Sequence, residues 1–346
     1  MTTMTHARAL VALAVAAAVA APAAAQTRPN PNPRPQPRVR VERDRDRGPE
    51  HVERFSRKVR LGENGAFELS NIAGDIVVTG GGGGDVTIEA VKRARSRSEE
   101  DAKRQLSLID IRVQEGAQRV DVRTIHSNRS RNSSVTVDYT IALPAGARVT
   151  LTSISGDVSV TGVRGELRAQ TISGDVRIDA GSRQIWTKSV SGDVEIVSTG
   201  QDAEVTASTM SGSVTARNLR LRTFEGSSVS GSVGLERVSC VRAEMKSISG
   251  TLTYSGTLSK GGRYELNSHS GDVRLTLEGS TGFELEATSY SGGVRSDLPI
   301  TLQGREPSES RRGRGHMNRS IRGRFGDGSA YLEVTTFSGD IAISRR

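Results

Sequence analysis

The chain has 346 residues, with 38 Gly but only 6 Phe, 5 Tyr and 1 Trp, and a hydrophobic fraction of 34%. A core built on large aromatic side chains is excluded, and so is wholesale disorder, because β-branched residues are spread evenly along the chain. The formal net charge of +9 suggests contact with polyanions or a device for solubility.

Met1 to Arg8 is positively charged, Ala9 to Ala21 is a short apolar run, and Pro22 precedes Ala23-Ala24-Ala25. This is the pattern of a secretory signal peptide over 1–25, too short for a membrane span, with cleavage expected near Ala25 or Gln26. Residues 26–50 alternate Pro, Arg and Asp and read as an extended, solvated linker. Basic residues exceed acids by 6 between Gln26 and Arg60, so most of the net charge lies in this arm. The lone cysteine, Cys240, leaves no intrachain disulfide and reads as an inert small residue.

Residues 51–146 read as an irregular β-rich part of the folded domain. Strands are expected at 52–60, 65–70, 75–79, 86–92, 109–114, 119–125 and 135–143. Ser98-Glu99-Glu100-Asp101 resembles a capping box and predicts a short helix at 99–106. Gly80 to Gly84 reads as a flexible turn.

From 147 to 346 a motif recurs: Ser155-Gly156-Asp157-Val158, Ser173-Gly174-Asp175-Val176 and Ser191-Gly192-Asp193-Val194. Variants follow at Ser211, Ser230, Ser249, Ser270, Ser291 and Ser338, and Ala73-Gly74-Asp75-Ile76 anticipates them. The spacing gives coils of about 19 residues, the mark of a solenoid. Apolar residues stand six and four before each Ser, and again at alternate positions after it. Each repeat therefore predicts two short strands joined at a Ser-Gly-Asp corner, where Gly permits positive φ. The expected fold is an all-β, single-stranded β-solenoid with a less regular N-terminal part and one short helix. Aliphatic ladders fill such a narrow core, which accounts for the scarcity of aromatics.

One column departs from alternation. Ile154, Ile172, Val190, Met210, Val229, Ile248, His269, Tyr290 and Phe337 immediately precede the Ser. A bulge at each corner is expected to turn this column inward. The segment 297–330 reads as a basic loop interrupting the array.

The Ser-Gly-Asp-Val repeats occur together with Tyr139-Thr140-Ile141-Ala142-Leu143-Pro144 and with Gly323-Arg324-Phe325-Gly326-Asp327-Gly328 leading into Thr336-Phe337-Ser338-Gly339-Asp340-Ile341. In this combination the chain resembles the bacterial "putative adhesin" family, a β-solenoid domain of unknown function, over roughly 55–346. The resemblance implies surface adhesion, with some relatives resembling envelope-stress proteins, and it brings no catalytic residues.

Four features could carry chemistry. Asp157, Asp175 and Asp193 should lie about 4.8 Å apart from coil to coil, close to a retaining glycosidase pair. Ser213, Ser232, Thr251 and Gly293 replace them along the column, however, so turn formation explains the whole set. Gly81-Gly82-Gly83-Gly84-Asp85 occurs once, and His6, His51, His126, His269 and His316 lack ligand spacing, so no metal or other cofactor is expected. Glu225, Glu244, Glu265 and Glu286 lie five before the Ser and form a candidate stripe for a cationic ligand, with Arg242 and Arg263 placed to pair with them diagonally. Arg311, Arg312, Arg314 and Arg319 belong to a basic loop that could contact a polyanion. No aromatics interleave these arginines, which speaks against nucleic acid.

The reading that follows is an exported, non-enzymatic scaffold, periplasmic, cell-surface or secreted, that binds an envelope or surface ligand: a glycan, an anionic lipid or a protein. The alternative is an envelope-stress or regulatory protein sensing cationic or membrane-active ligands, and a polysaccharide-active β-helix enzyme comes third.

Overall fold

The computed structural model describes residues 49–127, 135–302 and 319–346. The signal segment, nearly all of the Pro/Arg linker and most of the late basic loop lie outside the described residues.

The N-terminal part contains strands β1 (Glu50–Arg60), β2 (Ala66–Ala73), β3 (Ile76–Gly81) and β4 (Asp85–Arg95), helix α1 (Glu99–Ser107), then β5 (Ile109–Glu115), β6 (Arg119–His126) and β7 (Val135–Pro144). The array runs through β8 (Arg148–Ser155), β9 (Val158–Thr161), β10 (Leu167–Ser173), β11 (Val176–Asp179), β12 (Gln184–Ser191) and β13 (Val194–Ser198). It continues as β14 (Ala203–Ser211), β15 (Val214–Arg217), β16 (Arg220–Ser230), β17 (Val233–Ser249), β18 (Leu252–Ser270) and β19 (Val273–Glu278). The last elements are β20 (Phe283–Ser291), β21 (Val294–Ser296), β22 (Thr301–Leu302), β23 (Arg319–Phe325), β24 (Ala330–Ser338) and β25 (Ile341–Arg345). Expected and observed N-terminal elements coincide to within a few residues. The exception to the expected basic loop at 297–330 is its ends, where β22 and β23 form.

Each coil carries two strands joined at the Ser-Gly-Asp corner, and successive coils pair in parallel. Val149, Leu167, Ile185, Val205, Phe224, Ala243 and Tyr264 form one in-register ladder. Val158, Val176, Val194, Val214, Val233, Leu252 and Val273 form the other. All of these side chains are buried. Burial of each Val, Leu or Ile in these ladders contributes about 1.5–3 kcal/mol, so aliphatic side chains carry most of the core.

At both ends the coils stack out of chain order. β2 pairs in parallel with both β6 and β8, so the coil of β2 and β3 lies between that of β6 and β7 and the first coil of the array. At the other end β24 pairs with both β18 and β20, and β25 with both β19 and β21. The last coil in sequence is thus wedged between its two predecessors.

Antiparallel strands then cover the terminal coils. β5 lies on β6, β4 on β7 and β1 on β4, while β23 lies on β20 and β22 on β23. Helix α1 packs on this N-terminal layer through buried Ala102 and Leu106, with the Ser98 side chain accepting the Asp101 N–H at 3.2 Å. Arg54, Arg57, Lys58 and Arg60 on β1 place charge on an outer strand, which discourages edge-to-edge pairing.

Candidate functional site

The corner is held by two kinds of contact between coils. The Ser or Thr two residues before the motif Ser donates to the Gly carbonyl of the coil stacked before it. Thr209 Oγ1 donates to Gly192 O at 3.0 Å, Ser228 Oγ to Gly212 O at 2.9 Å and Ser247 Oγ to Gly231 O at 3.0 Å. Where the order is permuted the bond follows space rather than sequence: Thr336 donates to Gly271 O and Ser289 to Gly339 O, both at 3.0 Å. The Asp carboxylates supply the second contact. Asp157 Oδ1 accepts the Asp175 N–H and Asp175 Oδ1 accepts the Asp193 N–H, both at 2.8 Å. Asp193 Oδ1 accepts the Ser213 N–H at 2.7 Å. The Asp column is therefore engaged in joining one corner to the next.

These hydrogen bonds correct the expectation of a bulge. Reaching the Gly carbonyl draws the Ser/Thr side chain inward, and Thr171, Ser189, Thr209, Ser228 and Ser247 are buried. The register passes from Thr171↔Ser189 to Ser173↔Ser191 without an inserted residue. Alternation then sends the next side chain outward. Ile154, Ile172, Met210, Val229, Ile248, Tyr290 and Phe337 are 39–54% exposed, and Val190 is half-buried. One exception marks the start of the stack. Asn71 Nδ2 donates to Gly74 O at 3.0 Å and to Val137 O at 2.8 Å, and the buried Ser153 hydroxyl makes no hydrogen bond.

The result is an apolar stripe running from coil to coil, with a step of about 4.8 Å. It ends in rings. His269 stacks on Phe337 with centroids 5.0 Å apart and planes 8° from parallel, and Tyr290 meets Phe337 at 5.6 Å. Beside this end lies a shallow groove of about 490 Å³, lined by the rings, Ile248, Val229 and the polar column of Ser227, Lys246, Asn267 and Thr335.

The glutamate column is present and longer than expected. Glu225, Glu244 and Glu265 are in register on adjacent strands; Glu333 follows Glu265, and Glu286 follows Glu333. Glu333 lies five residues before Ser338, so the same alignment of the repeat could have found it. Cations offset part of the column. Lys246 pairs with Glu244, Arg263 with Glu333 at 3.4 Å, and Arg322 with Glu286 at 2.5 Å. Of the two expected diagonal partners, Arg263 pairs with the column, and Arg242 forms no ion pair with it. Hydrogen bonds from Arg322 and Tyr331 hold the Glu286 carboxyl below the usual carboxylate range, and Glu244 raises the Lys246 ammonium.

Arg311, Arg312 and Arg314 lie outside the described residues, while Arg319 opens β23 opposite Ser289. Among the described residues no group of three His, Cys, Asp or Glu side chains stands close enough to hold a metal ion. No helix among them is long and apolar enough to cross a membrane. Cys240 is buried, and burial pushes its thiol up to about 12. A thiol so rarely ionised is a poor nucleophile.

A closed parallel stack with Ser-Gly-Asp corners, an outward apolar stripe and antiparallel end layers defines a β-solenoid of the toast-rack kind. The family model "Toastrack DUF4097" matches residues 58–219 and 227–344, and the chain belongs to this family. Solved structures that the chain matches include a putative adhesin from Bacteroides fragilis, 14% identical, with a TM-score of 0.41, covering 85% of this chain and 97% of that one. A putative cell adhesion protein from Clostridium sporogenes is 11% identical, with a TM-score of 0.25 and coverages of 85% and 100%. A putative lipid binding protein from Parabacteroides distasonis is 8% identical, with a TM-score of 0.27 and coverages of 85% and 96%. No curated protein matches the chain.

Proposed function

We propose that the protein is an exported, non-enzymatic binding scaffold of the cell envelope, with an adhesin-like role. The observation that carries this reading is the outward apolar stripe. Seven large apolar residues stand 39–54% exposed in one column along the solenoid. Contiguous apolar surface of this kind marks an interaction site, and a solenoid extends it from repeated units. Engagement of the Asp column with backbone N–H groups supports a structural role for those carboxylates rather than a catalytic one.

The test is adhesion of the purified protein, without residues 1–25, to intact cells and isolated envelopes, with cell fractionation of the full chain to follow export. Retention of the full chain in the cytoplasm, or indifference to every surface, would count against the reading, and turnover of a polysaccharide would overturn its non-enzymatic part. A second reading, a sensor of cationic ligands, draws support from the five in-register glutamates. It requires cationic peptides to bind and Glu225→Gln with Glu265→Gln to abolish that binding.

A further inference from the structure

We propose that the groove at the ring end of the apolar stripe is a glycan site, taking a neutral oligosaccharide laid along the solenoid axis across successive coils; this rests on the binding-scaffold reading and names its ligand class. The aromatic residues point there first. Tyr139, Tyr254, Tyr264, Phe67, Phe224 and Phe283 are fully buried, whereas Tyr290 and Phe337 are about half exposed and adjoin each other. With His269 stacked on one side of Phe337 and Tyr290 tilted against it, they form a ladder of rings on three adjacent coils, on a surface that is otherwise aliphatic or polar along this column. A pyranose presents C–H groups on its faces and hydroxyls at its rim, so it suits the exposed flank of a ring ladder bordered by polar groups.

The border supplies those polar groups. Ser227, Asn267 and Thr335 line the groove with neutral donors and acceptors. Asn267 Nδ2 donates to Glu265 Oε1 at 2.8 Å, which fixes the amide, and the glutamates behind it can accept from sugar hydroxyls. The volume of about 490 Å³ suits a ligand of a few rings.

Charge selects among possible occupants. The one lysine in the groove is paired with Glu244, which offsets its attraction for a polyanion or an anionic membrane. Glu225, Glu244 and Glu265 in the next column repel such ligands further. A cationic peptide would find Glu244, Glu333 and Glu286 already paired. An acyl chain would cover the hydroxyl and amide groups without satisfying them, at a cost in free energy. A neutral, hydroxyl-rich ring satisfies both the ring ladder and the border.

The experiment is binding of the protein without residues 1–25 to an immobilised panel of neutral oligosaccharides of glucose, galactose, mannose and N-acetylglucosamine. Cationic peptides and anionic phosphatidylglycerol vesicles are run alongside. The comparison variants are Tyr290→Ala with Phe337→Ala, and Val52→Ala on β1, 42% exposed and outside the stripe. All three positions are solvent-exposed, and thermal melting checks that the fold is kept. The expected result is salt-resistant binding of at least one neutral oligosaccharide, weakened roughly tenfold or more by the double substitution, about 1.4 kcal/mol, and unchanged by Val52→Ala. No binding to any neutral oligosaccharide, equal binding by the double variant, or preference for the peptides or vesicles would overturn the proposal. Adhesion to intact cells that persists without oligosaccharide binding would overturn it while leaving the scaffold reading in place; loss of both would remove both.

Discussion

Phe337 lies flat against His269, ring centroids 5.0 Å apart, although a whole coil of chain, β20 with β21, falls between them in sequence. The contact exists because the coil of β24 and β25 inserts before that of β20 and β21. This insertion has a consequence for truncation. Removing residues 330–346 takes out an internal layer with buried Leu332, Val334, Ile341 and Ile343. Residues 283–296 should then lose protection in hydrogen exchange and become sensitive to protease. A truncated chain that keeps both its melting midpoint and the protection of that coil would contradict the permuted order.

The corner glycines should tolerate no side chain. Gly192 has φ of +148°, and a Cβ there would collide with the carbonyl of Gly174. Gly192→Ala should cost about 2 kcal/mol or more in urea unfolding. Gly81→Ala, where a Cβ meets open space, should stay within about 0.5 kcal/mol.

Two neighbouring residues separate the inner and outer faces of the corner. Thr209 is buried and donates to Gly192 O, and Met210 beside it is 51% exposed. Thr209→Val should destabilise by about 1–2 kcal/mol, because it leaves the part-buried Gly192 carbonyl without that donor. Met210→Ser should change stability by less than about 0.5 kcal/mol. Equal costs at the two sites would contradict the outward stripe.

Alkali should unfold the protein through its buried phenols and thiol. Burial raises Tyr139 and Tyr264 to about 12, and Cys240 likewise to about 12. Each folded-state pKa exceeds the unfolded one, so the unfolded chain releases its protons first as the pH rises. The stabilisation is complete below the unfolded pKa values, near pH 9 for the thiol and pH 10 for the phenols, and is lost as the pH approaches about 12. Circular dichroism against pH, with tyrosinate absorbance followed in parallel, reads this directly. Absorbance that reaches its full five-tyrosine amplitude with the fold intact would refute it.

Much of the candidate site was legible in the repeat. The Ser-Gly-Asp alignment places Ile172 and Ile248 in one column and Glu225, Glu244 and Glu265 in another, and the structure keeps both columns in register. The direction of the first column was not legible. Apolar character argued for the inside, yet the inward place belongs to Ser or Thr, because only their hydroxyls reach the Gly carbonyl of the coil before. Glu333 could be aligned but not placed between Glu265 and Glu286.

Alternation and corner glycines are local properties, so the sequence by itself determined the strands, the turns and the fact of stacking. The neighbours of each coil at the two ends were decided by the tertiary structure. The coils of the Ser-Gly-Asp array carry the same inward apolar pattern and closely similar corners, so the pattern does not encode their order. Loop lengths and the antiparallel end strands choose it, and that choice brings His269, Phe337 and Tyr290 together.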